Sequence, residues 1–266
     1  MNTPPAPAHS NASSKTDALS RITIVLSRTS HPGNIGSAAR AMKTMGLTRL
    51  TLVTPKIFPS PEAVALASGA GDVLDNARVV ATLDEALADA TYSLAVSARA
   101  RDLGPTPRLA RTGALELMAR VRQGERVALL FGNETSGLSN EELQRCQGAV
   151  TIAANPDYSS LNLAAAVQVL CYELRVAALN APEMAGAVGK SVVTPFSSPP
   201  ASHAEQEGFY QHLEQVMRAS GFLDPARPRR LMPKLRRLFA RAGLEKDEVN
   251  ILRGILAAVA PKTEDR

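Results

Sequence analysis

Apolar positions along the chain follow two rhythms, and the switch between them marks the elements. Ile22–Leu26 is a run of β-branched and aliphatic residues that predicts a buried strand. A polar loop with His31, Pro32, Gly33 and Asn34 follows, and then Ile35, Ala38, Ala39, Met42 and Met45 recur at helical spacing. Gly46 ends that helix, because glycine takes a left-handed C-terminal conformation without a Cβ penalty. Leu50–Val53 predicts a second strand. A strand–loop–helix–strand unit puts its loop at the carboxyl edge of a parallel sheet, where ligand sites of α/β proteins form. Asn34, Gly36 and Arg40 lie on this unit. Gly36 allows another backbone to come close, and Arg40, one turn later, can face the same side of the helix.

The same rhythms continue. A short helix is expected around Val64–Ser68, a strand at Ala77–Val80, and a helical turn at Asp84–Ala88 with Asp84 as its cap. Tyr92–Val96 predicts a strand that ends in Ser97, Ala98, Arg99 and Arg101, where small residues leave room for a ligand. Pro105 and Pro107 break the chain before an amphipathic helix at Leu109–Arg122. Val127–Phe131 predicts a fully buried strand ending at Gly132. A helix at Glu141–Cys146, capped by Ser139 or Asn140, a strand at Ala149–Ala153 and a long apolar helix at Leu161–Asn180 complete the alternation. Strands alternating with helices predict an α/β domain, residues 20–180, built on a mostly parallel sheet.

After residue 180 the pattern changes. Residues 181–204 carry Pro182, Gly186, Gly189, Pro195, Pro199 and Pro200 and are expected to be a linker. Their GKS tripeptide is no phosphate loop, since Met184 stands where the first glycine would be. The loop at Gly33–Arg40 lacks GxGxxG, so a nicotinamide-binding Rossmann unit is not supported. Residues 205–266 are purely helical in pattern. Phe209, Leu213, Val216 and Met217 mark one helix; Leu231, Leu235, Leu238, Phe239 and Ala242 a second; Val249, Leu252, Ile255, Leu256 and Val259 a third.

Composition narrows the functions this layout serves. The chain of 266 residues is 45% hydrophobic, enough for a large core. Its two cysteines, Cys146 and Cys171, have no CxxC spacing and are expected as reduced core thiols; no metal site is expected. Apolar runs long enough to cross a membrane are absent, and residues 1–19, rich in Ala, Ser and Pro, predict a disordered extension and no signal peptide. A cytoplasmic protein is expected.

The net charge of +5 points weakly to an anionic partner. It is concentrated in Pro225–Gly243, where Arg227, Arg229, Arg230, Lys234, Arg236, Arg237 and Arg241 occur with no acid between them. Such a run is either a solvated face or a phosphate-binding stripe, and the missing acids favour the stripe.

Two further loops hold polar groups between apolar elements. In LLFGNETSGLSNEEL a buried strand stops at Gly132, and Asn133 and Glu134 follow in a glycine-flanked turn. That turn is either a capped strand-to-helix connection or a cofactor loop. Asn155, Tyr158, Ser159, Ser160 and Asn162 crowd the loop before the long apolar helix, where Ser160 either caps the helix or joins a ligand loop.

Taken together, Asn34–Gly36–Arg40, FGNE with SGL at 131–138, and NPDYSSLNL at 155–163 resemble the three motifs of the SpoU/TrmH branch of the SPOUT RNA 2′-O-methyltransferases. TSHPGNIGSAARAMKTMGL, the long third motif and the tail segments KLRRLFARA and NILRGIL are similar to the TrmJ family within that branch. That family methylates the ribose 2′-oxygen of nucleotide 32 in the tRNA anticodon loop. The resemblance spans residues 20–260 apart from the linker.

The resemblance implies an α/β SPOUT-type parallel sheet with a C-terminal trefoil knot, followed by a small all-helical module that binds tRNA. It implies S-adenosylmethionine as methyl donor, no metal, and a homodimer whose site draws on both subunits. The cofactor pocket would be lined by Val96, Ser97, Ala98, Gly132, Ile152, Ser159, Ser160 and Leu161. Arg40 would grip the phosphate and stabilise the developing alkoxide, Asn34 would orient Arg40 or the ribose, and Glu134 would hold the loop or a partner arginine. Ser160 and Asn162 would shape the reaction pocket, and Arg229, Arg230, Lys234, Arg236, Arg237 and Arg241 would meet RNA phosphates. Two other functions fit less well: a SpoU-type enzyme for rRNA or another tRNA nucleotide, and an RNA-binding protein without catalysis.

Overall fold

The computed structural model describes residues 18–98, 105–179 and 198–260. Expectations for residues 1–17, for Arg99 and Arg101, and for 180–197 with the GKS tripeptide lie outside the described residues. Leu19, expected at the end of a disordered extension, is instead fully buried in the core.

The alternation becomes a seven-stranded sheet in the order β3-β2-β1-β6-β4-β7-β5. Its strands are β1 (Ile22–Ser27), β2 (Arg49–Val53), β3 (Arg78–Val80), β4 (Tyr92–Val96), β5 (Pro107–Leu109), β6 (Val127–Phe131) and β7 (Gly148–Thr151). Every neighbouring pair is parallel. The edge strand β5 falls where the prolines predicted only a break. Pro107 opens it at a sheet edge, a position proline tolerates because it costs the ladder no central donor.

Both faces of the sheet are covered at its centre, so the strands β1, β4 and β6 are buried on both sides. Ile22, Ile24 and Leu26 of β1 and Val127, Leu129 and Phe131 of β6 point to one core. Val25, Ala128 and Leu130, the alternate positions, point to the other. The first core is closed by α1 (Pro32–Met45), α2 (Pro61–Ala67), α3 (Gly71–Asp75), α5 (Ala110–Arg122) and α7 (Leu163–Leu179). The second is closed by α4 (Leu83–Leu87) and α6 (Asn140–Gln144). Cys171 belongs to the first core and Cys146 to the second; burial pushes both thiols up to about 12.

Cap chemistry decides several boundaries. Gly46 closes α1 in the left-handed conformation at φ 83°. Ser139 caps α6 in a reciprocal box with Glu142. Thr82, not Asp84, caps α4 by accepting from the Glu85 N–H. Asp84 is turned outward instead, to His203 and Arg145.

The helical module is α8 (His203–Ala219), α9 (Leu231–Ala242) and α10 (Lys246–Val259) around Phe209, Tyr210, Val216, Leu244, Val249 and Leu256. Ser202 and Glu205 box the start of α8. Residues 198–202, expected as linker, are pinned to the module by Ala201 N–H to Leu244 O at 2.9 Å and Ser198 N–H to Glu245 at 2.7 Å. The module also rests on the sheet domain. His203 N–H donates to Ala90 O at 2.8 Å, and buried Glu207 accepts from Arg145 and from Arg236.

Candidate functional site

Register sets the site. Leu26 and Val96 both pair with Phe131, and Val96 pairs with Val150, so β1, β6, β4 and β7 end level with one another. The chain leaves these ends at Arg28, Gly132, Ser97 and Ile152, side by side at the carboxyl edge. A cavity of about 390 Å³ opens there. Its wall contains all the residues expected to hold the cofactor: Val96, Ser97 and Ala98 from β4, Gly132 after β6, and Ile152, Ser159, Ser160 and Leu161 before α7. Segments far apart in sequence meet here because β4 lies between β6 and β7 in the sheet.

The wall is built for close packing. At Gly132 an added Cβ would run into the backbone of Gly137 and Leu138, so the turn can fold across this position only over glycine. Asn133 holds that turn, its Oδ1 accepting from the N–H groups of Thr135 and Ser136 at 3.1 and 2.8 Å.

Beside the cavity runs a hydrogen-bonded chain. Glu134 accepts from Ser30 N–H at 2.9 Å, from His31 N–H at 3.3 Å and from the Asn34 amide at 2.8 Å. Asn34 Oδ1 in turn accepts from Asn162 Nδ2 at 2.9 Å. Asn162 Oδ1 accepts from Ala164 N–H at 2.9 Å and so caps α7, which leaves Ser160 with the other of its two readings, a residue of the ligand loop. Burial opposes ionisation of Glu134, but the donations from Ser30, Asn34 and His31 outweigh it and hold the carboxyl below its ordinary value. The chain ties the first, second and third loops together.

Arg40 stands apart from this network. It is exposed on α1 and does not line the cavity. Gly36, expected to face the same side, is buried, and a Cβ on it would overlap the Ala63 carbonyl of α2. The expected close backbone approach is present, but it is a packing contact. Asn34 and Arg40 are six residues apart, roughly 9 Å along the axis.

The basic run divides likewise. Arg229 and Arg230 are exposed in the turn before α9, and Lys234, Arg237 and Arg241 are exposed on it. Arg236 departs from the expected stripe: its side chain is only 16% exposed, it pairs with Glu207, and its guanidinium lies 4.3 Å from the centre of the Tyr210 ring. The segment contains no acid, but the fold supplies one from α8, which a local reading of charge could not see.

Among the described residues, no group of three or more His, Cys, Asp or Glu is placed to hold a metal ion. No described helix is long and apolar enough to cross a membrane.

Residues 21–172 match the model of the SpoU rRNA Methylase family, and residues 204–266 match the tRNA methyltransferase TrmJ, C-terminal domain. The tRNA (cytidine/uridine-2′-O-)-methyltransferase TrmJ of Klebsiella pneumoniae is 51% identical over 93% of this chain and 100% of its own. The tRNA (cytidine/uridine/adenosine-2′-O-)-methyltransferase TrmJ of Pseudomonas aeruginosa is 52% identical over 90% of this chain and 93% of its own. The crystal structure of TrmJ from Z. mobilis superposes with a TM-score of 0.76 at 33% identity, covering 90% of this chain and 99% of that one. With its SPOUT-type sheet, its three joined loops and its TrmJ-type helical tail, the chain belongs to the SpoU methylase family and to the TrmJ group within it.

Proposed function

We propose that the chain transfers a methyl group from S-adenosylmethionine to a ribose 2′-oxygen of tRNA, at the pyrimidine of anticodon-loop position 32. The observation that carries this reading is the Glu134–Asn34–Asn162 chain set against a cavity walled by three loop segments. The relatives' names support tRNA as substrate. We place the reaction in the cytoplasm and in a homodimer with a knotted carboxyl half. Tyr158 and Leu161, beside the cavity and 79% and 42% exposed, suit cover by a second subunit.

The cavity fits the donor. Val96, Ile152, Leu161, Leu163 and Ala166 give it an apolar surface, and Ser97, Gly132 and Leu138 bring backbone groups to the same wall. Bound S-adenosylmethionine supplies a methyl carbon already activated by its sulfonium, so positioning of the ribose dominates the acceleration. Glu134 locks Asn34, and Asn162 fixes the other end of the same amide, so the polar edge beside the cavity is set before RNA arrives. Arg40 is permanently charged and therefore no base. Standing in solvent, it is accessible to an RNA phosphate, and gripping that phosphate would position the ribose.

The test is nucleoside mass spectrometry of tRNA incubated with the protein and S-adenosylmethionine, mapped by nuclease digestion. A 2′-O-methylated pyrimidine at position 32 is expected. Methylation only at another position discards the site assignment, and no methylation of tRNA discards the substrate.

A further inference from the structure

A second cavity, of about 380 Å³, lies between α9 of the helical module and the sheet domain. Arg108, Arg120, Arg236, Arg237 and Arg241 line it, against the single carboxylate of Glu116. That carboxylate is already engaged: one oxygen accepts from the Tyr92 hydroxyl at 2.8 Å, and the other faces Arg108 Nε at 3.1 Å. Arg236 is neutralised by Glu207. Arg120 lies 3.8 Å from the Tyr92 ring centre and reaches Glu125 through Nη1, but its buried Nε has no partner among the described residues. Arg241 makes no ion pair with any described residue. Arg108 extends over Gly148, where an added Cβ would come within 2.7 Å of its Nη1. Leu94 Cδ2 would be closer still, at 2.5 Å, so glycine leaves room there for both side chains.

Guanidinium groups stay charged at any pH the fold survives, so this cleft holds a standing excess of positive charge. An anion with several acceptor oxygens is its complement, and the planar fork of arginine matches a phosphate. Arg229, Arg230 and Lys234, on and just before the same helix, are exposed as well. Its walls come from both halves of the chain.

We propose that this cleft holds one backbone phosphate of the bound RNA, gripped jointly by Arg108 of the sheet domain and Arg241 of the helical module. The source of the phosphate rests on the RNA reading above. The cleft sits at Tyr92 and Gln147, the amino ends of β4 and β7, whereas the methyl-transfer cavity sits at their carboxyl ends. One five-residue strand separates them, about 13 Å. The phosphate gripped here therefore belongs to a nucleotide remote from the one methylated, and the contact sets how the RNA body lies on the enzyme.

The experiment measures tRNA affinity of the full chain against salt, for the unaltered protein, Arg108→Gln, Arg241→Gln and the double variant. Each lost phosphate contact lowers the slope of log K against log salt by roughly 0.7 to 0.9. Each single variant is expected to show that drop, and the double variant to lose less than the sum, because both residues hold the same group. Thermal melting and S-adenosylmethionine binding verify that each variant is folded. Unchanged slopes in both single variants, or additive losses in the double one, overturn the proposal. A parallel melt with inorganic phosphate separates the sources: stabilisation by phosphate that Arg241→Gln abolishes, with unchanged RNA slopes, means a free-anion site and overturns the RNA assignment. If the slopes change as expected but no tRNA is methylated, the cleft stands and the catalytic reading falls.

Discussion

Asn34 and Asn162, 128 residues apart in sequence, share a hydrogen bond of 2.9 Å between the first turn of α1 and the start of α7. The bond fixes which way the Asn34 amide points. With its oxygen taken by Asn162, its nitrogen is left to donate to Glu134 at 2.8 Å. Replacing Glu134 with Gln keeps the shape but removes an acceptor-only group, so the amide loses its defined orientation. Glu134→Gln is expected to lower kcat by about 100-fold, the scale of a small misplacement of reacting groups. Asn162→Ala is expected to do the same and also to weaken the cap of α7. If both variants raise KM with kcat unchanged, the chain serves binding and not orientation.

Arg40 lies outside the cavity wall, so its loss should spare the cofactor. Arg40→Ala is expected to reduce methylation by about 100-fold while the dissociation constant for S-adenosylmethionine holds, since losing the grip on an RNA phosphate misplaces the ribose. Isothermal titration and single-turnover kinetics check the two halves separately. Full activity in Arg40→Ala would remove it from the reaction.

Much of this arrangement is legible in the chain itself, and the exceptions share a cause. Tyr92–Val96 and Val127–Phe131 are strands at the expected boundaries because a parallel sheet buried on both faces needs unbroken apolar runs. The residues expected around the cofactor do line one cavity, because they follow strands that end in register. What stays hidden depends on distant partners. The edge strand β5 forms at Pro107 because β7 offers it a place. Asp84 looks like a cap until His203 and Arg145 of other segments claim it. The helix expected from Leu161 begins at Leu163, so the side chain in capping position is Asn162 and not Ser160. Arg236 is indistinguishable from Arg237 until α8 brings Glu207 to one of them.

Gly36 illustrates how packing sets a motif residue. An added methyl at this position would occupy the space of the Ala63 carbonyl, backbone that cannot swing aside. Gly36→Ala is expected to destabilise the fold by about 1 to 3 kcal/mol through overpacking, although alanine is the better helix former. The neighbouring Ser37→Ala should be neutral or slightly stabilising. Urea midpoints of the two variants check this, and equal stabilities would mean that α1 and α2 part without cost.

The ion pair between Arg236 and Glu207 predicts opposite outcomes for residues of the same chemical type. Glu207 is 6% exposed, and removing Arg236 leaves it short of a partner in a poorly solvated place. Arg236→Gln is expected to cost about 3 kcal/mol of stability. Arg241→Gln, at an exposed residue of the same helix that makes no ion pair with a described residue, should stay within about 0.5 kcal/mol. Thermal melts of the two variants distinguish an internal pair from a surface charge. If Arg236→Gln melts like Arg241→Gln, α9 is not held to α8 through Glu207.

Glu142 carries the acid sensitivity of the site's scaffold. Burial opposes its ionisation, but Ser27 Oγ at 2.5 Å, the Ser139 N–H at 2.7 Å and the nearby Arg28 outweigh it, and the carboxyl sits below the ordinary value of 4.5. In the unfolded chain it binds a proton at the ordinary value, so between the two values the unfolded form holds more protons. Stability therefore rises with pH across that window. The contribution is complete above 4.5 and is lost as pH falls through the depressed native value. Glu134 follows the same sign for the same reason. Urea midpoints taken from about pH 6 to about pH 3 should fall steeply at the acid end, and Glu142→Gln, less stable near pH 6, should fall less. An identical slope in the variant would place the acid sensitivity elsewhere. The physical point is that β1 and α6 are joined through this one carboxylate, so its protonation loosens both the β1 end that leads into Asn34 and the turn that carries Glu134.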